Sequence, residues 1–178
     1  RLGFQHLLVA ALFTLGIALA VLMFGSPAKA HAAKRSKQPV RIDRIERTEV
    51  NMINRFRAAR GLPRLRIDAT LSRTAEWHAR DMARNQRFSH TDSRGRDPFR
   101  RLRAFGYPSS NTWRGENIAA GNPGAAATYR QWLNSPPHKA NWLNSRYRAI
   151  GIARVRVAGS QYGYYWVTTF GSRVTGSR

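Results

Sequence analysis

Ile150-Gly151-Ile152-Ala153-Arg154-Val155-Arg156-Val157 is the stretch that decides the fold. It reads as a strand. Ala158-Gly159-Ser160 can turn, and Tyr162 to Phe170 is a second strand, rich in aromatic and β-branched residues. Together they predict an antiparallel hairpin at the end of the chain. Thr112 to Asn117 offers a third strand. Almost everything else upstream has a helical or loop pattern. Helices first and a hairpin last point to an α+β class, with helices packed on a small antiparallel sheet.

Working back from the hairpin, each helix carries its own punctuation. Ile42, Ile45, Glu49, Met52, Ile53 and Phe56 recur at three- and four-residue steps from Arg41 onward. Gly61 and then Pro63 end that helix. Asp68 offers an N-cap to a second helix, whose face is Leu71, Ala75, His78, Ala79, Met82 and Ala83, ending near Gln86. Asp97-Pro98 starts a short helix from Phe99 to Phe105, closed by Gly106. Asn122-Pro123 opens another, through Trp132 or Leu133. Ser135-Pro136 opens a last one that reaches Leu143 and places His138 in its first turn.

The N-terminal part reads differently. Arg1 to His6 is basic and polar, Leu7 to Phe24 is uncharged and almost wholly apolar, and Ser26-Pro27-Ala28-Lys29-Ala30 follows. This is the order of an export signal, cut after Ala30. The run is also long enough to cross a bilayer as an N-terminal anchor. The organisation expected is residues 1–30 as signal peptide or anchor, 31–41 as a basic linker, 42–174 as the domain and 175–178 as a tail. With cleavage, no integral span remains, and the product is secreted, extracellular or periplasmic.

The 178 residues hold 31 Lys and Arg against 9 Asp and Glu, a formal net charge of +22. Such a field favours polyanions, namely anionic envelope polymers or lipid headgroups. No nucleic-acid-binding motif appears, so no specific nucleic-acid partner is expected. The absence of Cys removes disulfides and a lipoprotein signal.

Two of the histidines sit in dense polar settings, Phe88-Ser89-His90-Thr91-Asp92 and Asn134-Ser135-Pro136-Pro137-His138-Lys139-Ala140-Asn141. Between them lies Gly115-Glu116-Asn117-Ile118. Imidazoles and a carboxylate in three turn-forming segments suggest one polar site able to bind a metal or change charge. His78 reads as a core or supporting histidine, Asn117 and Asn141 as loop-ordering amides, and Trp132, Trp142, Tyr165 and Trp166 as core. No His-Glu-x-x-His pair occurs, and no Cys-His or Ser-His-Asp set follows from spacing, so no nucleophile is assigned.

The order of these segments resembles the CAP superfamily of cysteine-rich secretory, antigen 5 and pathogenesis-related proteins, in its compact bacterial form, the SCP-like extracellular domain. The matching pieces are Gly61-Leu62-Pro63 with Leu65, His78 to Ala83, Phe88 to Asp92 with Gly95, and Gly115 to Ala119. They continue with Trp132 to His138, Asn141, Gly151-Ile152 and Tyr165 to Gly171. The resemblance implies an α-β-α sandwich with the sheet between helical layers. It also implies an open cavity lined by His90, Glu116 and His138. Many relatives carry a second glutamate where this chain has Ser135, and Asp92 is the candidate to supply that carboxylate. The expected ligands are a divalent metal such as zinc held by His90 and His138, or a small lipid-like molecule. A non-catalytic binding module follows most directly. The alternative is a metal-assisted, peptidase-like hydrolase of envelope or extracellular substrates, with Glu116 beside a metal-bound water.

Overall fold

The first helix, α1 (Arg44–Ala58), begins where Asp43 and Glu46 bond each other's backbone N–H groups at 2.7 and 2.8 Å, a reciprocal capping box. It starts three residues later than the apolar spacing from Arg41 suggests, because Asp43 takes the cap. The structure is a computed structural model, which describes residues 40–176. The leader and most of the linker expected from the sequence lie outside the described residues.

Gly61 ends the α1 segment in the left-handed region, at φ +68°. A two-residue strand, β1 (Arg66–Ile67), follows, then α2 (Ala69–Arg84), capped by the Asp68 side chain on the Leu71 N–H. Asp97 caps α3 (Pro98–Ala104), with proline at its first position. Next come β2 (Arg114–Ala120), α4 (Ala125–Leu133), α5 (Pro136–Leu143), β3 (Ala149–Arg156) and β4 (Tyr164–Gly171). The α4 start differs from the Asn122-Pro123 reading. Gly124 takes the cap position, and Asn122 donates its amide to Gln131 instead.

The strand order is β1-β3-β4-β2. β3 and β4 form the expected hairpin, and β2 adds to β4 antiparallel in the register Glu116↔Thr169. β1 pairs parallel with β3, which makes the sheet mixed. Two residues carry no alternation, so the sequence pattern holds no trace of β1.

The sheet sits between helical layers. On one face, Ala75, Ala79, Met82 and Ala83 of α2 meet Ile118, Val155, Tyr165 and Val167. On the other, Val50 and Ile53 of α1, Trp132 of α4 and Trp142 of α5 pack on Ile150, Ile152, Trp166 and Phe170. The α2 contact is close because of Gly151. A Cβ there would lie well inside van der Waals distance of the Leu71 and Ser72 backbone. The same turn of α2 bonds to the sheet, since Leu71 O accepts from the Thr169 hydroxyl at 3.0 Å.

Side chains take up the strand edges. Beyond β1, the Ile152 N–H donates to Ser72 Oγ at 3.3 Å and the Arg154 N–H to Glu46 Oε1 at 2.7 Å. On β2, Glu116 O accepts from Asn141 Nδ2 at 3.2 Å and Ile118 O from Trp132 Nε1 at 3.0 Å. At the C-terminal end, Asp68 Oδ2 receives the N–H groups of Thr175 and Gly176. Among the described residues, no helix is long and apolar enough to cross a membrane.

Candidate functional site

Alternation along β2 sends Glu116 toward α2 and Asn117 toward α5. The site is therefore built around an edge strand, with His90 and His78 on the Glu116 side and His138 on the Asn117 side. Glu116 is buried, and three cationic or ionisable groups converge on it. Arg101 Nη2 donates to Oε2 at 2.6 Å, His90 Nδ1 lies 2.9 Å from Oε1, and His78 Nε2 lies 3.8 Å from Oε1.

Arg101 organises this side. It is fully buried on α3, and its Nη1 donates to the carbonyls of His90 and Arg96 at 3.1 and 3.3 Å. It also lies 3.6 Å from Asp92 Oδ2. One guanidinium thus fixes the backbone that carries His90 and the carboxylate that His90 meets. Its planar fork suits this many-point role. The sequence carries no sign of this role, because Arg101 is one arginine among many in a short basic helix.

His90 has a half-exposed side chain. A carboxylate only accepts, so Nδ1 is the donor to Glu116 Oε1. His78 is wholly buried on α2. Neither of its nitrogens has a hydrogen-bond partner at normal geometry, and burial pushes its pKa down to about 4, against the opposing pull of Glu116. It supports Glu116 as a neutral ring.

Asp92 takes a different place from the carboxylate expected beside the histidines. Its Oδ1 accepts from the Arg94 and Arg96 N–H groups at 2.9 Å, and Oδ2 from Arg96 Nε at 2.8 Å. Burial alone would raise this carboxyl, but those bonds outweigh it and hold it below the usual range. Asp92 shapes the 92–96 loop and reaches the site only through Arg101. Asp81 of α2 anchors the same loop through the Ser93 N–H and hydroxyl.

His138 lies across the strand in the first turn of α5. Its carbonyl accepts from Asn117 Nδ2 at 3.1 Å, and Asn117 Oδ1 accepts from Asn141 Nδ2 at 2.7 Å. Asn117 and Asn141 therefore have the ordering role read from the sequence. Gly115 completes the cradle, since any side chain there would collide with the Tyr147 hydroxyl and Asn141. Burial, then the charge of His90, lowers the His138 pKa, and its Nδ1 is buried without a partner. Ser135 occupies the α5 cap position without capping through its side chain.

Imidazole nitrogens such as those of His90 and His138 are of the ligand type that a borderline divalent cation such as zinc takes. Among the described residues, no three His, Cys, Asp or Glu side chains surround one metal position. Both oxygens of Glu116 are already engaged, by Arg101 and by His90.

The model of the cysteine-rich secretory protein family, CAP, matches residues 50–170. This chain belongs to the CAP family. A similar curated protein is the uncharacterised YkwD of Bacillus subtilis, 31% identical over 132 residues, or 74% of this chain and 49% of that protein. The CAP chain thus spans about half the length of that relative. Among solved structures it is similar to an outer surface protein of Borrelia burgdorferi, at 28% identity and TM-score 0.65, covering 76% of this chain and 99% of the other. It is also similar to an extracellular protein with an SCP domain from Bacillus anthracis, at 26% identity and TM-score 0.61, covering 75% and 44%. The fold shared with these neighbours is the α-β-α sandwich described above.

Proposed function

We propose that this CAP protein is an exported binding module of the cell envelope, whose His90 and His138 take a divalent metal or a small polar or lipid-like ligand without catalysis. Engagement of both Glu116 oxygens, by Arg101 and by His90, carries this reading. A metal-assisted hydrolase needs a carboxylate free to take a proton from water. Here that carboxylate holds an arginine and orients a histidine, a pattern suited to fixing an imidazole for ligation. The outer-surface and extracellular descriptions of the two structural neighbours, and the signal-like order of residues 1–30, support the location.

Zinc calorimetry on the wild type, His90→Ala and His138→Ala is the test. Each substitution is expected to weaken zinc by at least about tenfold, as loss of one of two ligands would. Binding should also weaken as pH falls through the imidazole range, because protons compete for the same nitrogens. Equal affinity in all three proteins would remove the metal from the proposal. Zinc-dependent peptide or ester turnover that vanishes in Glu116→Gln would replace the binding module with the hydrolase.

A further inference from the structure

A second surface begins where β2 begins. Trp113 is 52% exposed, the most exposed of the protein's large hydrophobic side chains among the described residues. Its backbone is held at both ends, since its N–H donates to Ser172 Oγ at 3.0 Å and its carbonyl accepts from the Ser172 N–H at 3.0 Å. Its ring is held as well. The Arg146 guanidinium lies 3.9 Å from the ring centroid, while half of the side chain stays open to solvent. Arg114, the next residue along, places its guanidinium 5.1 Å from the centroid of Phe99, itself 48% exposed. The second pair lies on the opposite face of the strand, because residues 113 and 114 alternate, and Arg114 spends its guanidinium on the carbonyls of Phe99 and Ser109.

An exposed, rigid tryptophan contributes nothing to the core and leaves apolar surface in water. Neither Arg114 nor Arg146 pairs with a carboxylate among the described residues. The ion pairs there join Arg80 to Glu76, Arg96 and Arg101 to Asp92, Arg100 to Asp97, Arg101 to Glu116 and Arg154 to Asp43. Trp113 with Arg146 thus presents a flat apolar face beside a planar cation that has no carboxylate partner among the described residues. A sugar ring offers C–H faces for the first. A carboxylate or phosphate on that ring offers a two-point partner for the second.

We propose that Trp113 with Arg146 is a binding ledge for an acidic polysaccharide, one whose sugar rings carry carboxylate or phosphate. The proposal rests on the envelope reading only for where such a polymer is met. It does not depend on the His90 and His138 site. Single-stranded nucleic acid could also stack on aromatics beside arginines. The expected location outside the cell favours the glycan.

The test is calorimetric titration of the full chain with hyaluronate as the carboxylate glycan and a purified teichoic acid as the phosphate glycan. Dextran supplies rings without charge, polyphosphate charge without rings, and oligo-dT bases with charge. The wild type should bind at least one acidic glycan and not dextran. Trp113→Ala should lose about tenfold, equivalent to about 1.4 kcal/mol, and Trp113→Phe should recover part of it. Polyphosphate affinity should be the same in all three proteins. Matching melting temperatures would confirm that the variants are folded, and unchanged zinc binding would show that failure here and failure at the histidine site are separate. An acidic-glycan affinity unmoved by Trp113→Ala would overturn the proposal. So would an equal loss for polyphosphate, or tighter binding of oligo-dT with the same dependence on Trp113.

Discussion

Glu49 shows how far a single residue can depart from its usual chemistry. It is fully buried on α1, and neither carboxylate oxygen has a partner. Burial pushes its pKa up to about 8. An unfolded glutamate ionises near pH ~4.3. The folded state therefore holds the proton more tightly, and the stability linked to it is full below that value and lost as pH rises toward 8. The Glu49→Gln variant should match the wild type near pH 4 and pull ahead by about 1.4 kcal/mol per pH unit above it, levelling off near 8. Urea midpoints at pH 4.5, 6.5 and 8 would measure this, and parallel values at all three would show that the carboxylate finds a partner in solution. His78 works in the opposite sense, since its folded pKa is depressed. Its contribution is present above about pH 6.5 and is lost as pH falls toward 4. The sequence showed Glu49 as one position on a helical stripe. Its protonation depends on how deeply other segments cover it, which no local pattern records. The meeting of His90 with Glu116 was legible because the turn-forming neighbours of both are local. Arg101 was not, because its partners lie off its own helix, in the 90–96 loop and on β2.

At the scale of elements, the decisive contact is α2 against β3 at Gly151. Backbone meets backbone there, so neither side has a flexible end that can yield. Gly151→Ala should destabilise the fold by about 3 kcal/mol, the upper part of the usual range for overpacking. Chemical denaturation would read it as a shift in midpoint at constant slope, and a cost under about 1 kcal/mol would mean that α2 can slide outward. Elements with local signals were readable in advance. Asp68 and Asp97 cap their helices as their positions suggest, and the β3–β4 hairpin follows from its aromatic and β-branched run. Elements defined by tertiary partners were not. β1 exists because β3 offers it an edge, and the α4 cap falls on Gly124 because Asn122 is drawn to Gln131. Asp43 could have been found, since the Asp43–Glu46 spacing is a capping-box signature. The apolar spacing beginning at Ile42 pointed upstream instead.

Across the whole molecule, the acidic residues face inward in their bonding. Eight of the nine accept hydrogen bonds or ion pairs within the fold, and the ninth is the buried Glu49. The arginines are left to define the surface field. The protein should bind vesicles of anionic lipid at low salt and lose most of that binding well above physiological ionic strength, where screening falls below ~8 Å. Co-sedimentation across a salt series, with neutral vesicles as control, measures this. Binding that survives high salt would point to an apolar contact. The plugged edges of the sheet act at the same scale. Ser72 and Glu46 occupy N–H groups along β3, and Asn141 and Trp132 occupy carbonyls along β2. A foreign strand arriving at those positions finds the hydrogen-bonding groups already taken. Crowded against a polymer at high local concentration, where polycations are readily drawn together, copies of this domain find no template at those edges on which to grow into fibrils.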